Sequence, residues 1–206
     1  MQPLDSSIWI ELARALPSLV TAITAVIGVV IGARGLNRWR AEAIGKRKAE
    51  LAEAVLADFY RIEEIFRAIR APFVMIGEQR PKEGVPNEIA LDEHFVPVRR
   101  MMEYEEFLGH FRVRRHEFAA VFGKEAAAPF EVVRKIQKDI HWATGCLLRH
   151  KEVRASRDPG QAEQYEEWRR IIFQRGNDEI ARQINEAVDA IEATCRPAIE
   201  SMATKP

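Results

Sequence analysis

Between Arg14 and Arg34 stand nineteen residues without a charge, ALPSLVTAITAVIGVVIGA, and no other feature of the chain restricts its folding as much. At 1.5 Å per residue, a helix of that length covers about 28 Å, the thickness of a bilayer's hydrocarbon core. Its whole circumference is apolar, whereas a helix on the surface of a soluble domain carries one apolar stripe. The pattern therefore predicts a transmembrane helix over residues 15–33. Trp9 and Trp39 lie on either side of it, roughly 45 Å apart along a helix, which places one indole near each headgroup layer. A cleaved signal peptide is the competing reading, but it needs a basic start and a shorter apolar stretch. Here the leader carries Asp5 and Glu11.

Orientation follows from the flanks. Arg34, Arg38, Arg40, Lys46, Arg47 and Lys48 crowd the C-terminal side, and Arg14 is the sole basic residue before the span. Basic residues stay on the cytoplasmic side, so residues 1–14 are expected to be a short extracytoplasmic leader. The location that follows is a bacterial inner membrane, crossed once, with the N-terminus out and the C-terminal domain inside. Residues 34–50 form a basic juxtamembrane helix, in which each cation near an anionic leaflet contributes about 1 kcal/mol. The expected interface anchors are Trp9, Arg34, Arg38, Trp39, Arg40, Lys46, Arg47 and Lys48. Within the span Thr24, Gly28 and Gly32 recur every four residues and include a G-x-x-x-G. Small residues at that spacing let two helix backbones approach, so these three are the expected self-association surface.

Residues 51–206 read as a helical domain. Leu51, Val55, Phe59, Ile62, Phe66 and Ile69 recur at spacings of three and four, the mark of an amphipathic helix. Gly35 and Gly45 are where the preceding helix is expected to bend, and Ala71-Pro72 to stop it. Residues 72–91, rich in proline and glycine, predict a long loop of the kind that more often carries function than simple connection. Further helices are expected over 97–122, 126–153 and 161–201, the last interrupted at Gly176-Asn177 and frayed at Pro197. The expected fold is all-α, with a transmembrane helix continuing into a cytoplasmic antiparallel bundle of about four helices.

Lysine plus arginine equals aspartate plus glutamate at 31 each, which gives no overall field to draw nucleic acid. Cys146 and Cys195 have no C-x-x-C spacing and read as buried thiols in a reducing compartment. None of the five histidines has a glutamate three positions before it, as a di-iron bundle requires, and H-E-x-x-H is absent. No metal or cofactor is expected. Cys146 has only His141 and His150 as nearby bases on its own helix, and falls beside Leu147 and Leu148. The arginines at 67, 70, 99, 100, 112, 114 and 115 have the chemistry to grip phosphate. The sequence favours their pairing within the chain to Glu63, Glu64, Glu103, Glu105 and Glu106.

The stretch Leu36-Asn37-Arg38-Trp39-Arg40, continuing through Gly45-Lys46, Leu51-Ala52 and Phe59-Tyr60 to Ile69-Arg70-Ala71-Pro72-Phe73, resembles the segment after the anchor in uncharacterised bacterial single-pass membrane-anchored helical proteins. The likeness covers residues 15–75. It implies an inner-membrane location and no activity, cofactor or catalytic residue.

The functional expectation is a membrane-tethered interaction or scaffold protein, not an enzyme. Its partners would be the bilayer, a second copy through the span, and a cytosolic protein through the 72–91 loop. The alternatives are an oligomerising membrane effector or sensor, and an enzyme with a site drawn from Glu106, His110, His116 and His141.

Overall fold

A computed structural model describes residues 6–75, 77–150 and 159–203; along the first helix, side chains are described at 24, 28, 29, 31, 32, 34–36, 39, 40 and from 42 onward. The described regular structure is helical: seven α-helices and one 3₁₀ turn, with a lone antiparallel bridge between Lys82 and Val85. They are α1 (Ser6–Ile69), α2 (Asn87–Ala90), the 3₁₀ turn Glu93–Phe95, α3 (Val96–Glu103), α4 (Glu105–Phe122), α5 (Ala128–Arg149), α6 (Pro159–Ile172) and α7 (Glu179–Ala203). The chain divides into two units, Met1–Arg47 and Lys48–Pro206.

The first unit contains the leading part of α1, which stays helical through Gly35 and Gly45 where a bend was expected. Among the described residues no helix is long and apolar enough to cross a membrane. The span predicted over 15–33 therefore gains no support from the described helices. Within it, only the side chains of Thr24, Gly28, Val29, Ile31 and Gly32 are described, and all five are exposed.

The second unit is a helical bundle. Val55, Phe59, Ile62, Phe66 and Ile69 form the buried stripe of α1 that the periodicity predicts; Leu51, expected with them, is half-buried, and Ala52 takes its place in the core. The helix stops where expected, since residue 71 precedes a proline and is pushed out of the helical region. At the centre, the Phe59 ring lies 5.1 Å from Phe111 and meets Phe130 edge-on at 4.8 Å. Around these rings pack Phe118 of α4, Ile136, Ile140 and Leu147 of α5, Ile172 of α6, and Ile191 and Cys195 of α7.

Two features of the later helices differ from the periodicity and two follow it. The helix expected over 97–122 breaks at Tyr104, whose N–H closes a tight turn on the Met101 carbonyl, so α3 and α4 are separate. Gly123 ends α4 with φ of +96°, a conformation that L side chains avoid. The last predicted helix divides at residues 173–178, around Gly176 as expected. Pro197 does not fray α7, which runs on to Ala203. Ala198 and Ile199 pack on the core beyond the proline and hold the helix against its one missing backbone bond.

Candidate interaction surface

A helix leaves its last carbonyls without intrahelical partners. At the end of α1 a single buried side chain, Arg100, 8% exposed, supplies them. One terminal nitrogen donates to the carbonyls of Ala68, Ile69 and Ala71 at 3.2, 3.3 and 2.8 Å. The other donates to the Phe73 carbonyl at 2.7 Å, and with Nε it grips the Glu78 carboxylate at 2.8 and 2.7 Å. Glu78 also accepts from the Met75 N–H at 2.6 Å. Beside it, Arg99 donates to the carbonyls of Arg80 and Ala90 at 2.6 and 2.8 Å. The stretch 72–91, expected to be loop throughout but ending in helix α2, is thus pinned by two adjacent arginines of α3. Its backbone is held at Phe73, Met75, Arg80 and Ala90, while the side chains of Phe73 and Met75 stand 83% and 73% exposed.

A second joint closes the same end of α1. Arg70, 1% exposed, makes a bidentate pair with Asp178 at 2.9 and 2.7 Å and donates to the carbonyls of Ile171 and Arg170. Its own carbonyl accepts from the Gln174 N–H at 2.7 Å. Asp178 in turn accepts from the N–H groups of Ala181 and Arg175, capping α7. Nearby, buried His94 joins the 3₁₀ turn to α6. Its Nδ1 lies 2.7 Å from Asp92 and its Nε2 3.0 Å from the Tyr165 hydroxyl, so both ring nitrogens are engaged inside the protein.

These joints predict an acid limit. The Arg100 hydrogen bond, helped by the Met75 N–H, holds the Glu78 carboxyl below its ordinary value against desolvation. At Asp178, burial pushes upward, but the Arg70 pair and two backbone N–H groups outweigh it and the net displacement is downward. Both groups therefore bind protons more readily when the chain is unfolded. Their contribution is complete above the unfolded values of about 4 and is lost as pH falls through the lower folded ones. The urea midpoint of the wild type is expected to fall below about pH 4, and Glu78→Gln/Asp178→Asn to show a smaller acid-dependent fall.

The expected self-association residues Thr24, Gly28 and Gly32 are exposed on α1, with nothing within 4 Å of a side chain built at either glycine. Arg34, Trp39, Arg40, Lys46 and Arg47 are exposed, while the side chains of Trp9 and Arg38 lie outside the described set. Lys48 belongs to the second unit, its ammonium 4.8 Å from the centre of the Phe122 ring.

Intramolecular pairing accounts for most of the arginines, but largely with partners other than those expected. Arg67 pairs with Glu63, whereas Arg114 pairs with Asp58 and Arg115 with Glu131. Arg112 makes no ion pair among the described residues.

The residues weighed for an enzyme site do not converge. Glu106 and His110 form an exposed pair at 4.0 Å that lines neither of the two adjoining hollows to which His116 and His141 contribute. Burial holds the His141 imidazole below its ordinary value. Among the described residues no group of three potential metal ligands occurs. Cys146 and Cys195 are buried free thiols, and burial pushes Cys195 up to about 11. The Arg70–Asp178, Arg100–Glu78 and His94–Tyr165 pairs left no periodic signal, because their members lie 108, 22 and 71 residues apart.

No known protein family, curated protein or solved structure matches this chain, so the resemblance over residues 15–75 gains no support from such relatives.

Proposed function

We propose that the chain is a membrane-tethered interaction protein whose bundle presents the 72–91 loop to a cytosolic protein partner. The observation that carries this reading is the pinned loop, in which Arg100 and Glu78 hold the backbone while Phe73 and Met75 face solvent. Exposed apolar side chains on a rigid frame suit binding, because little conformational freedom is lost on association and aromatic anchors dominate interface energetics. The tether rests on the uncharged residues 15–33 and their basic C-terminal flank. Outward-facing Val29 and Ile31 suit contact with lipid. Under this reading the membrane is a bacterial inner membrane, with the N-terminus out and the bundle cytoplasmic. The exposed Thr24, Gly28 and Gly32 supply the surface for pairing with a second copy.

Crosslinking in native membranes, followed by mass spectrometry, tests the proposal. Wild type is expected to capture one cytosolic protein reproducibly. Phe73→Ala/Met75→Ala should reduce that capture at least tenfold with an unchanged urea midpoint, a loss of more than about 1.4 kcal/mol in binding. Gly28→Leu/Gly32→Leu should abolish self-linked dimer and leave partner capture intact. Equal capture by the loop variant, or repeated recovery of the monomer alone, would sink the docking surface. Release of the chain by alkaline carbonate would sink the tether.

A further inference from the structure

A groove runs between α4 and α5. On α4, Leu108, Arg112 and Arg115 follow one another at spacings of four and three. On α5, Arg134, Lys138 and His141 do the same, so two stripes of one helical period line the groove. Its larger hollow has a volume of about 530 Å³ and ends on Met101 and Met102 of α3. A smaller one of about 170 Å³ continues it, and the two share Arg112, Arg134 and Gln137.

The charge of this lining is unbalanced in a chain whose total is even. Arg112, Arg115, Arg134 and Lys138 are faced by two carboxylates, Glu105 and Glu131. Glu131 is committed to holding two of the cations, Arg115 at 2.7 Å and Arg134 at 2.5 Å. Among the described residues Arg112 and Lys138 have no ion-pair partner. Arg115 Nε is shielded from solvent with no acceptor, and Glu131 Oε1, its ion-pair partner at 2.7 Å, is shielded beside it, so these two groups offset one another.

Two cations without an ion-pair partner among the described residues suit a group with several oxygens and close to two negative charges. A lone carboxylate supplies fewer oxygens and half the charge. The larger hollow is too roomy for an inorganic ion alone and falls within the range of small-molecule sites. Its apolar walls, Met101, Met102 and Leu108, take a body with no charge of its own. We infer that the α4–α5 groove binds a phosphomonoester with an apolar body, its phosphate held by Arg112, Lys138 and Arg134 and its body seated on Met101, Met102 and Leu108. A soluble metabolite and a phosphatidic-acid headgroup share this chemistry.

The test is calorimetric titration of the full chain in detergent micelles, in phosphate-free buffer. The probes are phenyl phosphate, inorganic phosphate, phenol and short-chain dihexanoyl phosphatidic acid. Phenyl phosphate is expected to bind saturably, inorganic phosphate at least tenfold more weakly, and phenol not at all. Arg112→Ala/Lys138→Ala should weaken phenyl phosphate at least tenfold, whereas Lys124→Ala, an exposed cation outside the groove, should leave it unchanged. Met102→Trp fills the apolar end and keeps every charge, so it should weaken phenyl phosphate and spare inorganic phosphate. Binding of the short-chain lipid that exceeds phenyl phosphate and is lost in Arg112→Ala/Lys138→Ala assigns the groove to lipid headgroups; the reverse order assigns it to soluble ligands. Saturable binding of neither organic probe, or equal binding by the double variant with circular dichroism unchanged, overturns the inference.

Discussion

Arg70→Met is expected to lower the unfolding free energy by about 3–5 kcal/mol, the cost of removing one member of a buried ion pair. The methionine roughly preserves apolar volume but leaves Asp178 with two backbone donors and no counter-charge, and the carbonyls of Ile171 and Arg170 without the guanidinium. The charge left behind, more than the lost attraction, sets the size of the effect. Asp178→Asn keeps an acceptor for Arg70 and should cost less. The double variant should be less destabilised than the sum of the two singles, because both act on one joint. Urea titration followed by tryptophan fluorescence reports it, since Trp168 is buried in α6. A loss below about 1 kcal/mol would show that water replaces the guanidinium at little cost.

Phe59→Ala is expected to cost about 3–5 kcal/mol, the range for removing a large side chain from a packed core. Phe59 is wholly buried and touches rings from two other helices, Phe111 of α4 and Phe130 of α5. These neighbours also pack on one another, with centroids 4.7 Å apart, so they resist collapsing into the void. Phe59→Leu should recover part of the loss, and Glu53→Ala, on the exposed face of the same helix, should leave the urea midpoint unchanged. If Phe59→Ala unfolds at the wild-type denaturant concentration, the aromatic cluster is not the centre of the core.

What could be read from the sequence is what short-range periodicity encodes. The α1 stripe from Val55 to Ile69 and the α5 stripe from Val133 to Leu147 repeat every three or four residues, and helices bury such stripes whatever their neighbours are. Ala71-Pro72 and Gly123 carry their stop signals in their own chemistry. The break at Tyr104 and the passage of α7 through Pro197 depend on packing from elsewhere, which propensity does not contain.

The site residues divide in the same way. The arginine clusters were visible, but their choice of Asp58, Glu78, Glu131 and Asp178 is a product of three-dimensional proximity. Arg112 was visible as one of a cluster. Its placement opposite Lys138 was not, because the two sit on different helices. The span over 15–33 remains a statement of the sequence, resting on absent charge and on length.

The long reach of the Arg70 joint also sets a schedule for synthesis. Asp178 leaves the ribosome 108 residues after its partner, which at translation rates of about 5–20 residues per second is a delay of roughly 5–20 s. Arg100 follows Glu78 after only 22 residues, so the loop can be fastened early. A nascent chain therefore passes through a stage in which the loop is clasped and the far joint is open. A ribosome-bound fragment ending before residue 178 should hold Arg70 without its carboxylate, with the α1 stripe already covered by α4 and α5.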